Sequence, residues 1–479
     1  MAGNLDFNQP GVASGAVVNL GTITAAEGGL VALVAPQVEN SGTITARLGR
    51  VALAAGERFT IDLYGDQLIN FAVDEQQLAQ LFDAEGQPIT ARVDQSGLVE
   101  VAGGEALFMS AASGKGVLDQ LINISGVVRA DTVEQHGGRI VLLGRGGSVT
   151  VAGELSARGT QSGQSGGAID VRGEHVFIAA ESELDVSGSA GGGVMHLGGD
   201  YQGGDGYRAT TTTVSEGSRL RADGTDRGDG GEVVVWADGV TDFSGSISAR
   251  GGSESGNGGE VEVSGKQQLS FRGQVDAGAE NGEAGTLLLD PTNFTVGLEE
   301  AAVINYVLRS GTSTTLQADI DIDVDAAIDG RGLYAGGGIT LNAGNDINLN
   351  NYIVTNNGAV NLNASAGTVN VASGQGVYSG TAPIAVTTGA GLINAPFITA
   401  NTLTLTSSGG SVTIDEAISA SNGRGVAIFA KVCFGHPSPS KQQKLNATVY
   451  ACGAPTVLRT LRNHLFAALH NSLSDSTPT

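Results

Sequence analysis

Cysteine is almost missing from this chain of 479 residues: Cys433 and Cys452 are the only two, and both fall in its last fifty or so residues. No disulfide framework therefore holds the remainder. Aromatic residues make up only 5%, so no thick core built on rings is available, and small apolar side chains must fill a narrow interior. Basic residues are scarce as well, 25 Lys plus Arg against 49 Asp plus Glu, for a formal charge of −24. Nucleic acid and anionic membrane surfaces are therefore poor partners, since both need clustered cations to displace counterions. No run approaches the ~18 apolar residues of a spanning helix. The opening Met1-Ala-Gly-Asn-Leu-Asp-Phe-Asn8 has neither a cationic n-region nor an apolar h-region, so the expectation is either a cytosolic chain or one whose true beginning is missing.

Glycine is abundant, 75 residues, but without the strict three-residue period of collagen. A hydrophobic content of 41% argues against wholesale disorder. The informative feature is repetition. Leu220-Arg-Ala-Asp-Gly224 followed by Gly230-Gly-Glu-Val-Val-Val235 returns as Ile247-Ser-Ala-Arg-Gly251 and Gly258-Gly-Glu-Val-Glu-Val263. It returns again as Val275-Asp-Ala-Gly278 and Gly285-Thr-Leu-Leu-Leu-Asp290 (starts 220, 247, 275). Apolar/polar alternation over a few residues is the strand signal, and a unit this small must stack on copies of itself. The expected fold is all-β, a parallel β-helix (β-solenoid) with short helical interruptions.

Five segments follow in order. Residues 1–73 repeat Asn19-Leu-Gly-Thr-Ile-Thr24 as Asn40-Ser-Gly-Thr-Ile-Thr45, with two strands expected per coil of about twenty residues, and break at Gly56–Asp66. Residues 74–135 read as an irregular connector with short helices, one capped by Asp74 with Leu78, Leu81 and Phe82 on a face, one over Gly116 to Ile122. Residues 136–297 carry the repeats of about 27 residues, including Gly137-Gly-Arg-Ile-Val-Leu-Leu143, Gly166-Gly-Ala-Ile-Asp-Val171 and Gly192-Gly-Val-Met-His-Leu197. Residues 298–430 begin with a helix from Leu298 to Leu308, acidic at Glu299 and Glu300 as the dipole prefers, and continue as Asn/Thr-rich coils. Asn above Asn in adjacent coils is expected to hydrogen-bond along the stack. Residues 431–479 break every statistic of the chain and read as a frameshifted or unrelated fused segment, with an amphipathic stretch through Leu458, Leu461, Leu465 and Leu469.

The two Gly-Thr-Ile-Thr coils, the Gly137–Leu143 coil, the repeats of 150–290 and Leu288-Leu-Asp-Pro-Thr-Asn-Phe-Thr-Val296 together resemble the filamentous-haemagglutinin-like exoproteins of two-partner secretion, over roughly residues 5–430. The resemblance implies a right-handed coil and export through a dedicated outer-membrane barrel transporter. It also implies adhesion to a host or bacterial surface receptor or glycan, with a terminal toxin carried in some members. Family members open with a signal peptide and an Asn-Pro-Asn signature, which this chain lacks. It is therefore expected to be an internal fragment of a secreted or cell-surface parent.

Candidate chemistry is sparse. Arg227-Gly228-Asp229 lies between repeats in an expected loop, the tripeptide of integrin-type recognition, though an acidic Gly-rich chain also produces it by chance. Asp319-Ile-Asp-Ile-Asp-Val-Asp325 is expected to place four carboxylates on one strand face, about 6.6 Å apart, with Ile320, Ile322 and Val324 opposite. This reads as a solvated face, with calcium coordination the alternative; Val324 and Gly330 exclude an EF-hand. His136, His175 and His196 lack metal-ligand spacing. No catalytic, cofactor-binding or metal-ligating set is expected. The rival function, a β-helical polysaccharide lyase or hydrolase, needs acids and a base converging from adjacent coils, and the acids read as scattered among corners.

Overall fold

The computed structural model describes residues 15–56, 91–111, 120–332, 336–389 and 402–407. It also describes the backbone of the short strands Asn4–Phe7, Phe59–Asp62, Ile69–Asn70, Ile393–Asn394, Phe397–Ala400, Val412–Thr413, Ile418–Ala420, Val426–Ala430 and Ala447–Tyr450. Two compact units are present. One comprises Met1–Phe294, Ala302–Thr315 and Gly332–Gly337; the other comprises Thr295–Ala301, Leu316–Arg331 and Gly338–Thr479.

The first unit is a parallel β-helix. Its narrow sheet is an unbroken parallel ladder of nine strands, running from Thr22–Thr24 to Gln274–Asp276. At about 4.8 Å per strand this ladder is roughly 40 Å tall. One inward residue from each strand forms a column: Ile23, Ile44, Val99, Val128, Leu155, Leu184, Leu220, Ile247 and Val275. Ile44 to Leu220 are fully buried in this column, and each rung covers the apolar side of the next. The register therefore reproduces the repeats of the sequence, with Leu220 opposite Ile247 and Ile247 opposite Val275.

Coils carry three strands, not the two expected, except that in two of them the first pair runs on as one, Arg139–Val151 and Ala168–Ile178. Leu30–Ala35 is followed after a single residue by Gln37–Asn40, then by Thr43–Thr45. Glu232–Ala237, Val240–Phe243 and Ser246–Ser248 follow the same plan. The first two strands of a coil merge in the sequence because only a sharp bend separates them, without the run of turn residues that punctuates a loop. At the second corner most coils carry glycine, with Ser182 and Ser218 the buried exceptions. A Cβ on Gly42 would lie 2.1 Å from the Gly21 carbonyl oxygen, and one on Gly97 would lie 2.1 Å from that of Gly42. Backbones stack there without room for a side chain.

The segment expected as an irregular connector is in large part regular. Val93–Gln95 pairs with Gln37–Asn40 on one side and with Gln120–Ile124 on the other. The coil thus resumes at residue 91 after a corner insertion. The helix expected over Gly116 to Ile122 is replaced at its end by the strand Gln120–Ile124, where Leu121 and Ile122 are buried. A ready-made ladder on each side satisfies the backbone there, and this outweighs a weak local helical pattern. The helix expected at Asp74 lies outside the described residues. A small antiparallel sheet joins Asn4–Phe7, Phe59–Asp62 and Ile69–Asn70.

The helix Leu298–Arg309 forms as expected, with Glu299 and Glu300 in its first turn and Arg309 in its last. The Glu300 carboxylate accepts the Gly297 N–H at 3.1 Å, and Gly311, at φ 94°, ends it. In the second unit the coils are shorter. Ile339–Ala343 pairs with Val360–Ala364 and that strand with Ile384–Thr388. The expected amide ladders are present, Asn363 Nδ2 donating to Asn342 Oδ1 at 2.8 Å and Asn370 Nδ2 to Asn348 Oδ1 at 2.9 Å. The tail lies outside the described residues except for Ala447–Tyr450, which pairs with Val426–Ala430.

Candidate functional site

Arg227, Gly228 and Asp229 sit at the long corner between coils, and all three are tied into the stack. The Arg227 guanidinium pairs with Glu254, which occupies the equivalent corner one coil on. Gly228 has φ 143°, and a Cβ there would lie 2.1 Å from the Ala190 carbonyl oxygen. The Asp229 carboxylate accepts the Asn257 N–H at 2.6 Å. The tripeptide is a stacked corner with an exposed rim. Because the Arg227–Glu254 pair is exposed, Arg227→Ala is expected to change stability by less than about 1 kcal/mol. Chemical denaturation of the variant checks this.

The Asp319–Asp325 run forms a strand only over Ile322–Val324. Ile322 and Val324 are buried, but Ile320 is 43% exposed at a bend, so the expected seven-residue face is shorter by half. Asp321, Asp323 and Asp325 each accept an amide from the next coil: Asn345, Asn348 and Asn350, at 2.8–2.9 Å. The aspartates are the first rung of a side-chain ladder that continues from Asn348 to Asn370. Among the described residues no group of three or more His, Cys, Asp or Glu is arranged to hold a metal ion. Asp323→Asn retains the acceptor and is expected to change stability by under about 0.5 kcal/mol. A calcium-dependent rise in melting temperature that this variant abolishes would overturn the ladder reading.

Acids that look scattered in the sequence converge at one place on the outer face of the broad sheet. Asp170 and His196 are register partners on the strands Ala168–Ile178 and Val194–Leu197. Glu232 lies one coil further, opposite Val194, and Asp200 arrives on the corner insertion that follows Leu197. Arg172, 7% exposed at its side chain, binds both Asp170 and Asp200. His196 Nε2 faces Glu232 Oε1 at 2.6 Å and Nδ1 faces Asp200 Oδ1 at 3.2 Å. Burial raises the Asp200 carboxyl, but the Arg172 hydrogen bond and the Arg172 and His196 charges outweigh it and hold the group below its ordinary value. The hydrogen bond with His196 lowers Glu232 likewise. The cluster is a clamp whose cations and anions are spent on one another. Aligning Gly166–Val171 on Gly192–Leu197 reveals the Asp170–His196 pair; nothing in the sequence brings Asp200 to it.

A second feature has polar groups to spare. The outer face of the narrow sheet carries two columns, Arg219, Ser246 and Gln274 beside Arg221, Ser248 and Asp276. Tyr306, from the helix Leu298–Arg309, joins them to line an open groove of about 240 Å³. Arg221 is paired with Glu183 at 2.7 Å and Asp276 with Arg250 at 2.6 Å. Among the described residues the Arg219 guanidinium, the Gln274 amide and the hydroxyl of Tyr306, which is 46% exposed, face solvent without a hydrogen-bond or ion-pair partner. Strand periodicity marks the two columns; the helix that supplies the aromatic wall lies some thirty residues further along the chain. Comparison with known protein families and with curated protein sequences finds no match for this chain.

Proposed function

We propose that this chain is the coil-stacked part of a secreted or cell-surface exoprotein of the filamentous-haemagglutinin-like kind, acting by binding rather than catalysis. The observation that carries the reading is the groove at Arg219, Gln274 and Tyr306: a free cation, a free amide and an exposed ring beside a ladder of strands. An aromatic face with donors and acceptors alongside suits a sugar ring, which stacks on one and bonds to the others. The partner is therefore a surface glycan or glycosylated receptor. Repeated weak contacts along successive coils would gain strength through multivalency. Export of the parent through a two-partner-secretion barrel belongs to the same proposal and rests on the resemblance alone.

The test is binding of the purified chain to an array of host and bacterial surface glycans, with Tyr306→Ala beside it. Loss of the ring is expected to weaken binding about tenfold. Binding that is undiminished in Tyr306→Ala and Arg219→Ala would remove the groove, and an array without any bound glycan would remove the adhesive reading.

A second reading, a polysaccharide-cleaving enzyme, is favoured by the gathering of Asp170, His196, Asp200 and Glu232 from adjacent coils. It requires release of sugar fragments that His196→Gln abolishes.

A further inference from the structure

The insertion at residues 198–209 lies over the outer face of the broad sheet, and its fastenings are of two kinds. The clamp holds Asp200, and Arg208 adds an ion pair with Asp238 at 3.0 Å. Two glycines rest on the Trp236 ring: a Cβ on Gly199 would lie 2.5 Å from its Cδ1, and one on Gly203 2.9 Å from its Cζ2. Trp236, the one tryptophan of the chain, is 5% exposed as a result. Beneath the same insertion lies Glu262, fully buried. Its Oε2 accepts the Gln202 N–H at 2.7 Å; the Ser264 hydroxyl lies beside the carboxyl and eases its burial, but Oε1 makes no hydrogen bond of good geometry. The charged groups that face it are Asp290 and Glu232, both acids, with Tyr201 above it and Glu260 beside that ring.

We propose that residues 198–209 form a strap whose closure is coupled to protonation of Glu262, so that the strap loosens as the medium passes from mildly acidic to alkaline and uncovers Trp236. A buried carboxylate with one poorly bonded oxygen, and with acids as its charged neighbours, is costly as an anion and acceptable as a neutral acid. Burial accordingly pushes the Glu262 carboxyl up to about 7 from an ordinary 4.5. Below the ordinary value the proton is bound whether the strap is open or closed, and closure carries no penalty. Between the two values closure takes up a proton, and above about 7 it buries an anion. The closing equilibrium therefore weakens by about 300-fold from the acid to the alkaline limit. The clamp works in the opposite sense: Asp200 and Glu232 are held below their ordinary values, so their contribution is lost as pH falls through the folded-state values. The strap is tightest between these limits. Its opening would bare an aromatic ring on an otherwise acidic face, which makes presentation of that surface a function of the medium.

Trp236 reports the strap directly. Acrylamide quenching of its fluorescence in the full chain, followed from pH 4 to 9, is expected to rise with a midpoint near pH 7 and to rise again at the acid end. Glu262→Gln is expected to remove the alkaline rise and keep the acid one. Asp200→Asn is expected to raise quenching at neutral pH, which proves the reporter. Quenching that is flat from pH 5.5 to 8.5 in the unaltered chain overturns the proposal, whatever the variants do. So does an alkaline rise that survives Glu262→Gln and disappears in His196→Gln, because the proton would then belong to the histidine.

Discussion

Phe243→Ala is expected to destabilise the first unit by about 3–5 kcal/mol, the range for emptying a well-packed aromatic site. Phe243 and Phe271 are register partners on adjacent coils, both fully buried, with ring centroids 5.7 Å apart and planes inclined by 12°. A chain with 13 phenylalanines in 479 residues has few such stacks to spare. Truncation leaves a void that neighbours cannot fill without breaking register, since each coil is fixed by ladder bonds above and below. Urea unfolding of the variant gives the number, and a loss below about 1 kcal/mol would mean that the coils repack freely. Glycine-rich corners argue against that, because they leave no slack where backbones already touch.

Asn40→Ala should be nearly as damaging, for a different reason. Asn19 Nδ2 donates to Asn40 Oδ1 at 2.6 Å, and Asn40 Nδ2 donates to Gln95 Oε1 at 2.6 Å, in the interior of the stack. Removing the middle amide strands a buried donor and a buried acceptor, at an expected cost of about 2–4 kcal/mol. The ladder already ends badly: Gln95 Nε2 has no partner, because the next residue in its column is Ile124. Replacing all three amides by Val, Val and Leu is therefore expected to restore most of the loss, as apolar neighbours need no partner. Should the triple variant be less stable than Asn40→Ala alone, the amides would be holding register as well as each other.

The two predictions concern one column. Asn19, Asn40, Gln95, Ile124, Val151, Ile178, Val214, Phe243 and Phe271 occupy a single interior position through successive coils. It passes from amides through aliphatics to stacked rings. The narrow-sheet column beside it stays aliphatic throughout. That constancy is why Leu220, Ile247 and Val275 were legible as a repeat, while the Asn-to-Phe column was not: a position that changes chemistry coil by coil leaves no period to find. The same blindness hid the middle strands of the coils and the resumption of a coil at residue 91.

Candidate sites divide along a similar line. Arg227, Gly228 and Asp229 could be read as a loop, but not that Glu254 and Asn257 of the next corner engage two of them. The Asp319–Asp325 alternation was readable as a solvated face. Its partners Asn345, Asn348 and Asn350 show how the face is satisfied, and Ile320 shows where the strand gives way to a bend. The buried carboxyl of Glu262 sits in a Gly-Gly-Glu-Val-Glu-Val repeat that resembles its neighbours. Only the strap above it, arriving from some sixty residues earlier, turns an outward glutamate into a buried one.

The order of residues along the chain is enough to fix stacked parallel coils, the inward column of the narrow sheet and the spacing at which its rungs recur. It could do so because an apolar side left uncovered is costly at every rung, which forces the alternation to recur. Folding adds the encounters made by corner insertions and by the helix: Asp200 with Arg172, Gln202 with Glu262, and Tyr306 across a groove from the Gln274 column. An insertion at a corner leaves the ladders intact wherever it folds back, so ladder energetics places no constraint on its destination. That freedom is where a uniform stack acquires individual sites.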